Sequence, residues 1–202
     1  MYGEPAILED MPNLPTTSDL PALSLPGPRA ARAFAEKAHA GQLRKGTSLP
    51  YVVHPIAVAT SLARHYPAYV ELICAGFLHD TVEDTKVTAA ELEAAFGPTV
   101  ARLVIGVTAV RGKNWMATRT GQLAALVGAE PDVLRLKAAD ALSNASAIVA
   151  DLAALGPTVW DRFGARPEQV RWYYAGILER VRAGLGDEPL VRELAAAVAG
   201  LG

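Results

Sequence analysis

The sequence predicts an all-α fold. Apolar residues recur at helical spacing through most of the chain, Gly and Pro punctuate those runs, and no stretch shows the strict alternation or Asn-Gly turn of a competing strand or hairpin. Residues 1–26, "MYGEPAILEDMPNLPTTSDLPALSLP", hold five of the fourteen prolines and no helical period, so they read as an extended or partly disordered arm. Pro28 then stands where a first-turn proline belongs, and Gly41 ends the run "RAARAFAEKAHA". Pro55 opens "IAVATSLARHY", and a further helix is expected over about 69–84. "TAAE", Thr88 to Glu91, has the spacing of a capping box, and Gly97 with Pro98 stops that helix and starts the next. Helices are expected within 114–127, 131–154, 168–185 and 188–199. The third of these carries Val170, Tyr173, Tyr174, Ile177, Leu178 and Val181 on one face. The result is a bundle of roughly eight to ten helices forming one domain over 27–202. The roughly 50 residues that remain after Asn144, once the last loop is discounted, are too few for a further domain.

Composition narrows the function classes. A chain of 202 residues with 51% hydrophobic content can bury roughly 70% of its unfolded surface. A net charge of −2 and a pI near 6.1 argue against a non-specific nucleic-acid binder, since no basic face is present. Cys74 is the only cysteine, in an apolar segment with no cation nearby, and reads as an inert core thiol. No unbroken apolar run reaches the ~18 residues of a membrane span, and no signal peptide is visible, so a cytoplasmic location is the default expectation. The oligomeric state stays open.

One stretch does not fit a plain core helix. "FLHDTVEDT", Phe77 to Thr85, puts four ionisable groups into an oily segment, with His79 and Glu83 four apart and Asp80 and Asp84 likewise. On a helix those are stacked neighbours. The two columns are either a site or a solvated helix end.

"AHAGQLRKGTSLPYVVHPIAVA", "FLHDTVEDT" and "RLKAADALSN" occur in that order, and together they resemble the HD-domain hydrolases of the RelA/SpoT homologue superfamily, especially the stand-alone small alarmone hydrolases. The resemblance is close over about 33–144 and looser to about 182. It implies that His54, His79, Asp80 and Asp140 are metal ligands. Two imidazoles and two carboxylates suit Mn²⁺, Fe²⁺ or Zn²⁺ better than Ca²⁺, and they leave two positions of an octahedral ion open. One divalent ion is expected, Mn²⁺ foremost. The resemblance assigns Glu83 and Asp84 to catalysis, and neighbouring carboxylates can divide proton tasks because their charges push one pKa upward. It also implies substrate contacts from Asn144, from Arg44 stacked on a purine, and from Lys45 close by. Tyr173 corresponds to a tyrosine that lines the pocket in some relatives, or is core. His39 reads as helix packing and His65 as surface.

The expected activity is metal-dependent hydrolysis of the small nucleotide (p)ppGpp to GDP or GTP and pyrophosphate. An HD phosphohydrolase acting on an adenine alarmone or a 2′-phosphorylated dinucleotide is the alternative, and a catalytically silent regulatory module is another. The pattern departs from relatives after Thr108, where a lysine- and arginine-rich stretch is replaced by "AVRGKNWMATRTGQL", leaving Arg111, Lys113 and Arg119 as substitutes for holding phosphate.

Overall fold

The computed structural model describes residues 20–202, so residues 1–19 of the expected arm lie outside the described part. From Leu20 onward the arm is structured. A 3₁₀ turn at Pro21–Ser24 buries Ala22 and Leu23 before α1 (Pro26–Ala38) begins, two residues ahead of the proline expected to open it. The reason is apolar. Ala22 and Leu23 join the main core, which a proline-based reading of the arm overlooks.

The order continues with α2 (Val53–His65), α3 (Val70–Leu78), α4 (Thr81–Asp84), α5 (Ala89–Val107), α6 (Trp115–Ala125), α7 (Pro131–Leu155), a 3₁₀ stretch at Gly156–Arg162, α8 (Pro167–Leu185) and α9 (Pro189–Ala199). No strand occurs among the described residues, only an isolated bridge between Leu43 and Pro50. The all-α expectation holds. The 3₁₀ stretch after α7 was not expected, because a seven-residue connector with Pro157 and Trp160 shows no helical period.

Two glycines fix backbone geometry that the bundle needs. A Cβ on Gly76 would fall 2.8 Å from Leu62 Cδ1 and 3.0 Å from Ala59 Cα, so α3 can approach α2 only with glycine there. Gly97 sits at φ 85° inside α5 and, with Pro98, kinks it where the sequence predicts a stop. The Thr88 capping box forms as expected: Glu91 N–H donates to Thr88 Oγ1 and Thr88 N–H donates to Glu91 Oε2.

α3 is the most enclosed element, with Leu72 to Leu78 all buried among α1, α2 and α5. Cys74 lies there, its thiol pushed up to about 11 chiefly by burial, as an inert core cysteine should be. α7 runs through the middle and packs on α2, α5, α8 and α9. With the 3₁₀ stretch that follows, it has the length to cross a membrane, and its most apolar 18 residues reach mean hydropathy 1.2, yet Lys137, Asp140 and Asn144 project from it into a polar cavity. His65 is a correction. Its side chain is only 9% exposed, with Nε2 3.3 Å from Glu193 Oε1 on α9, because the α2–α9 contact covers a position that looked peripheral.

Candidate metal centre and active site

The predicted continuous helix over 69–84 breaks at its most interesting point. α3 ends at Leu78, α4 starts at Thr81, and His79 and Asp80 lie between them. Side chains compete with the backbone ladder there: Nδ1 of His79 is 2.9 Å from the Gly76 carbonyl, and Thr81 Oγ1 donates to the Leu78 carbonyl at 2.7 Å. The local geometry stays near helical, with Asp80 at φ −96° and ψ −5°, so Glu83 and Asp84 still follow one turn after the pair.

His54, from the first turn of α2, meets them, and Asp140 arrives from mid-α7. Nε2 of His54 is 3.2 Å from Nε2 of His79 and 3.2 Å from Asp140 Oδ1. Asp80 Oδ2 lies 3.0 Å from His79 Nε2 and 3.5 Å from His54 Nε2. His54, His79 and Asp140 each place a donor atom within 4.8 Å of the others, and Asp80 closes the group from the His79 side.

The donor set fits a divalent cation. A carbonyl can only accept, so His79 carries its proton on Nδ1 and a neutral ring turns the Nε2 lone pair inward. Ser143 Oγ lies 3.0 Å from Nδ1 of His54 and, where it accepts from that nitrogen, leaves the His54 Nε2 lone pair facing the same spot. Two lone pairs and two carboxylate oxygens therefore point at one spot, which demands positive charge. Without a metal, a proton meets part of that demand: burial opposes charge on His79, but Asp80 and Asp140 outweigh it and lift its pKa to about 9. Burial pushes the pKa of His54 down. Half-buried Asp80 and buried Asp140 are held well below the carboxylate range, Asp80 by the imidazoles and Asp140 first by Lys137.

Asp140 is the hub of a chain of contacts. Lys137 Nζ donates to its Oδ2 at 2.7 Å, Asn144 Nδ2 donates to its Oδ1 at 2.7 Å, and Arg44 Nη2 donates to Asn144 Oδ1 at 3.3 Å. Arg44 and Lys45 sit on the loop between α1 and α2, which folds back on itself through Arg44 N–H to Leu49 O and Tyr51 N–H to Gln42 O.

Beside the cluster is a polar cavity of about 170 Å³ whose walls include Glu83, Asp84, Arg119 and Tyr173. Glu83 Oε2 accepts from Ala109 N–H at 2.9 Å, and burial raises its pKa. Formally, among the described residues, the four carboxylates Asp80, Glu83, Asp84 and Asp140 face two cations, Lys137 and Arg119, leaving an excess of two negative charges. A divalent ion balances it. Of the three basic residues expected to replace the family's basic stretch, only Arg119 reaches the cavity. Arg111 and Lys113 are exposed on the connection before α6. Arg119 is held over the Tyr173 ring at 4.8 Å and donates to Gln122 Oε1, which Tyr173 also reaches through its hydroxyl at 2.9 Å. A second cavity of about 220 Å³ adjoins the first, sharing Tyr51, His54, Asn144 and Tyr174, and its further walls include Arg44, Lys45, Ile148, Val159 and Phe163.

Sequence reasoning missed Tyr51. Its hydroxyl lies 2.5 Å from Asp80 Oδ2 and 3.1 Å from Asp84 Oδ2, donating to the nearer and joining a candidate ligand to a candidate catalytic carboxylate. The only available signal was its place in "PYVVHP", three residues before His54. Ser143 and Phe163 gave none. His39 packs as expected, its ring 4.8 Å from that of Tyr51 and its Nδ1 2.8 Å from Gln42 Oε1.

A helical bundle that gathers His54, the adjacent His79 and Asp80, and Asp140 around one point defines a class, and the profile of the HD domain matches residues 31–168. The chain belongs to the HD-domain family. Within it, the chain is similar to a guanosine-3′,5′-bis(diphosphate) 3′-pyrophosphohydrolase of Danio rerio, 51% identical over 77 residues that cover 37% of this chain and 43% of that one. It is also 40% identical over 117 residues to the enzyme of that name from Aquifex aeolicus, covering 56% of this chain but only 16% of the relative's length. Among solved structures, a Listeria monocytogenes protein superposes with TM-score 0.67 and 32% identity over 72% of this chain and 96% of its own. A metazoan ortholog of SpoT, described as hydrolysing ppGpp, superposes with TM-score 0.74 and 26% identity over 88% of this chain and 97% of its own.

Proposed function

We propose that this chain hydrolyses (p)ppGpp at the 3′ position, giving GDP or GTP and pyrophosphate. The observation that carries the reading is the convergence of two imidazoles and two carboxylates beside a separate acidic pair, in a cavity that also presents Lys137 and Arg119. The names of the relatives support the substrate class. His54, His79, Asp80 and Asp140 would hold one divalent ion, with Mn²⁺ favoured by the mixed imidazole and carboxylate set. When bound, that ion supplies Lewis acidity to the scissile phosphate and lowers the pKa of water.

The protein's own groups do the rest. Glu83, its pKa raised by burial, is suited to hold a proton for the leaving 3′ oxygen, while Asp84 is suited to take one from the attacking water. Lys137 and Arg119 offset phosphate charge. Asn144, oriented by Asp140, reaches toward the ribose or its phosphate. Arg44 is placed to stack on the base, Lys45 adds a point charge at the rim, and Tyr173 positions Arg119. A cytoplasmic location accords with this substrate. Purified protein with Mn²⁺ and a panel of nucleotides tests the reading, with products separated by chromatography. Pyrophosphate and GDP from ppGpp are expected; orthophosphate in place of pyrophosphate would make the protein a phosphatase instead.

A further inference from the structure

The second cavity has one feature that phosphate chemistry leaves unused. Among the described residues, Asp151 is the only carboxylate on its walls, which otherwise carry the cations Arg44, Lys45 and Arg162 and the apolar faces of Ile148, Val159 and Phe163. It stands eleven residues beyond Asp140 on the same helix, about 16 Å along the axis at 1.5 Å per residue. That separation suits a nucleotide whose 3′ phosphate sits at the metal cluster and whose base lies in the second cavity.

Asp151 is held in place. Arg162 Nη1 donates to its Oδ2 at 2.6 Å, and the Arg162 stem lies across the loop that carries Arg44. Gly46 makes that crossing possible: a Cβ there would fall 2.7 Å from Arg162 Cδ, and the backbone φ of 74° also favours glycine. Among the described residues, the second carboxylate oxygen, Oδ1, accepts no hydrogen bond from another side chain or from the backbone. A fixed acceptor beside the apolar faces of Ile148, Val159 and Phe163, with a guanidinium nearby for stacking, is suited to read the edge of a planar base.

We propose that Asp151, positioned by Arg162, accepts the N1–H and N2–H donors of guanine and sets the base preference of the pocket. The inference rests on the nucleotide reading given above. Guanine presents two parallel donors that match the two oxygens of a carboxylate. Adenine in the same pose turns its N1 lone pair toward the negative charge, leaving both groups unsatisfied. Inosine keeps N1–H and lacks the amino group, so it should fall between them.

The test is calorimetric binding of GDP, IDP and ADP to the full chain, for wild type, Asp151→Asn and Asp151→Ala, with turnover of the guanosine and adenosine 3′-diphosphate nucleotides measured in parallel. Wild type should favour GDP over ADP by roughly 10- to 100-fold, the scale of one paired edge contact, with IDP between. Asp151→Asn is nearly isosteric, so the fold should survive. Its amide can accept from adenine N6–H and donate to N1, so the GDP:ADP ratio should fall to near unity or invert. Asp151→Ala should lose discrimination without gaining ADP. Equal binding of GDP and ADP by wild type, or an unchanged ratio in Asp151→Asn, would reduce Asp151 to a surface partner of Arg162 and overturn the proposal. If no 3′-diphosphate nucleotide is turned over while the binding ratios shift as described, the base reader stands and the hydrolase reading falls.

Discussion

Removing the Asp140 carboxylate should do two separable things. Asp140 and Lys137 are 8% and 7% exposed, joined at 2.7 Å, and each holds the other charged: Lys137 is raised despite its burial, mainly through Asp140, and Asp140 is lowered mainly through Lys137. Asp140→Ala strands a buried ammonium, a loss of about 3–5 kcal/mol for one partner of a buried pair. For a chain of this size that is a drop in Tm of roughly 6–20 °C, at about 2–4 °C per kcal/mol. The same substitution removes one of four candidate ligands, so metal should be lost on dialysis and turnover should vanish. Stability and metal binding are told apart by the double variant Lys137→Met/Asp140→Ala. Taking away the unpaired charge should restore most of the lost Tm in metal-free protein while the site stays unable to retain Mn²⁺. Thermal denaturation by circular dichroism, in chelator and in Mn²⁺, and elemental analysis after dialysis read both effects. A single variant that melts like wild type refutes the buried-pair argument, and one that keeps metal and activity refutes the ligand assignment.

Glu83→Gln and Asp84→Asn should leave metal content near normal while the rate falls by ~10²-fold or more, because both lie beside the ligands rather than among them. A near-native rate in either would return that residue to a solvated helix end. Arg44→Ala should raise KM more than it lowers kcat if stacking is equal in ground and transition states; steady-state kinetics on ppGpp decide this. In chelated protein, the raised pKa of His79 stabilises the fold fully below its ordinary value of 6.5, and this contribution is lost as pH rises through about 9. Denaturant unfolding of metal-free protein should therefore show stability falling across that window, and saturating Mn²⁺, which requires the neutral imidazole, should remove the slope. A flat metal-free profile would mean that His79 does not carry the proton.

The elements were legible because their signals are local. The Thr88–Glu91 capping box and the Gly97–Pro98 stop each depend on a few neighbouring residues, and each formed where the sequence put it. The three motif blocks were legible too, since the spacing of His79 and Asp80 from Glu83 and Asp84 is a property of one short segment. Local reasoning ran out where another element decides the outcome. The arm from Leu20 is ordered because Ala22 and Leu23 find the core, and His65 is covered because α9 lies over it. Arg111, Lys113 and Arg119 were equivalent as sequence; only the docking of α6 on α8, which sets Arg119 against Tyr173, selects the one that faces the cavity. Asp151 and Phe163 carried no pattern, and Tyr51 only its place in "PYVVHP", because their meaning lies in partners far along the chain, as with Arg44 and Asn144, which touch across 100 residues. Helical periodicity records which face of a segment is buried. It does not record which other face it is buried against, and a site built from several separate elements exists only once those faces have met.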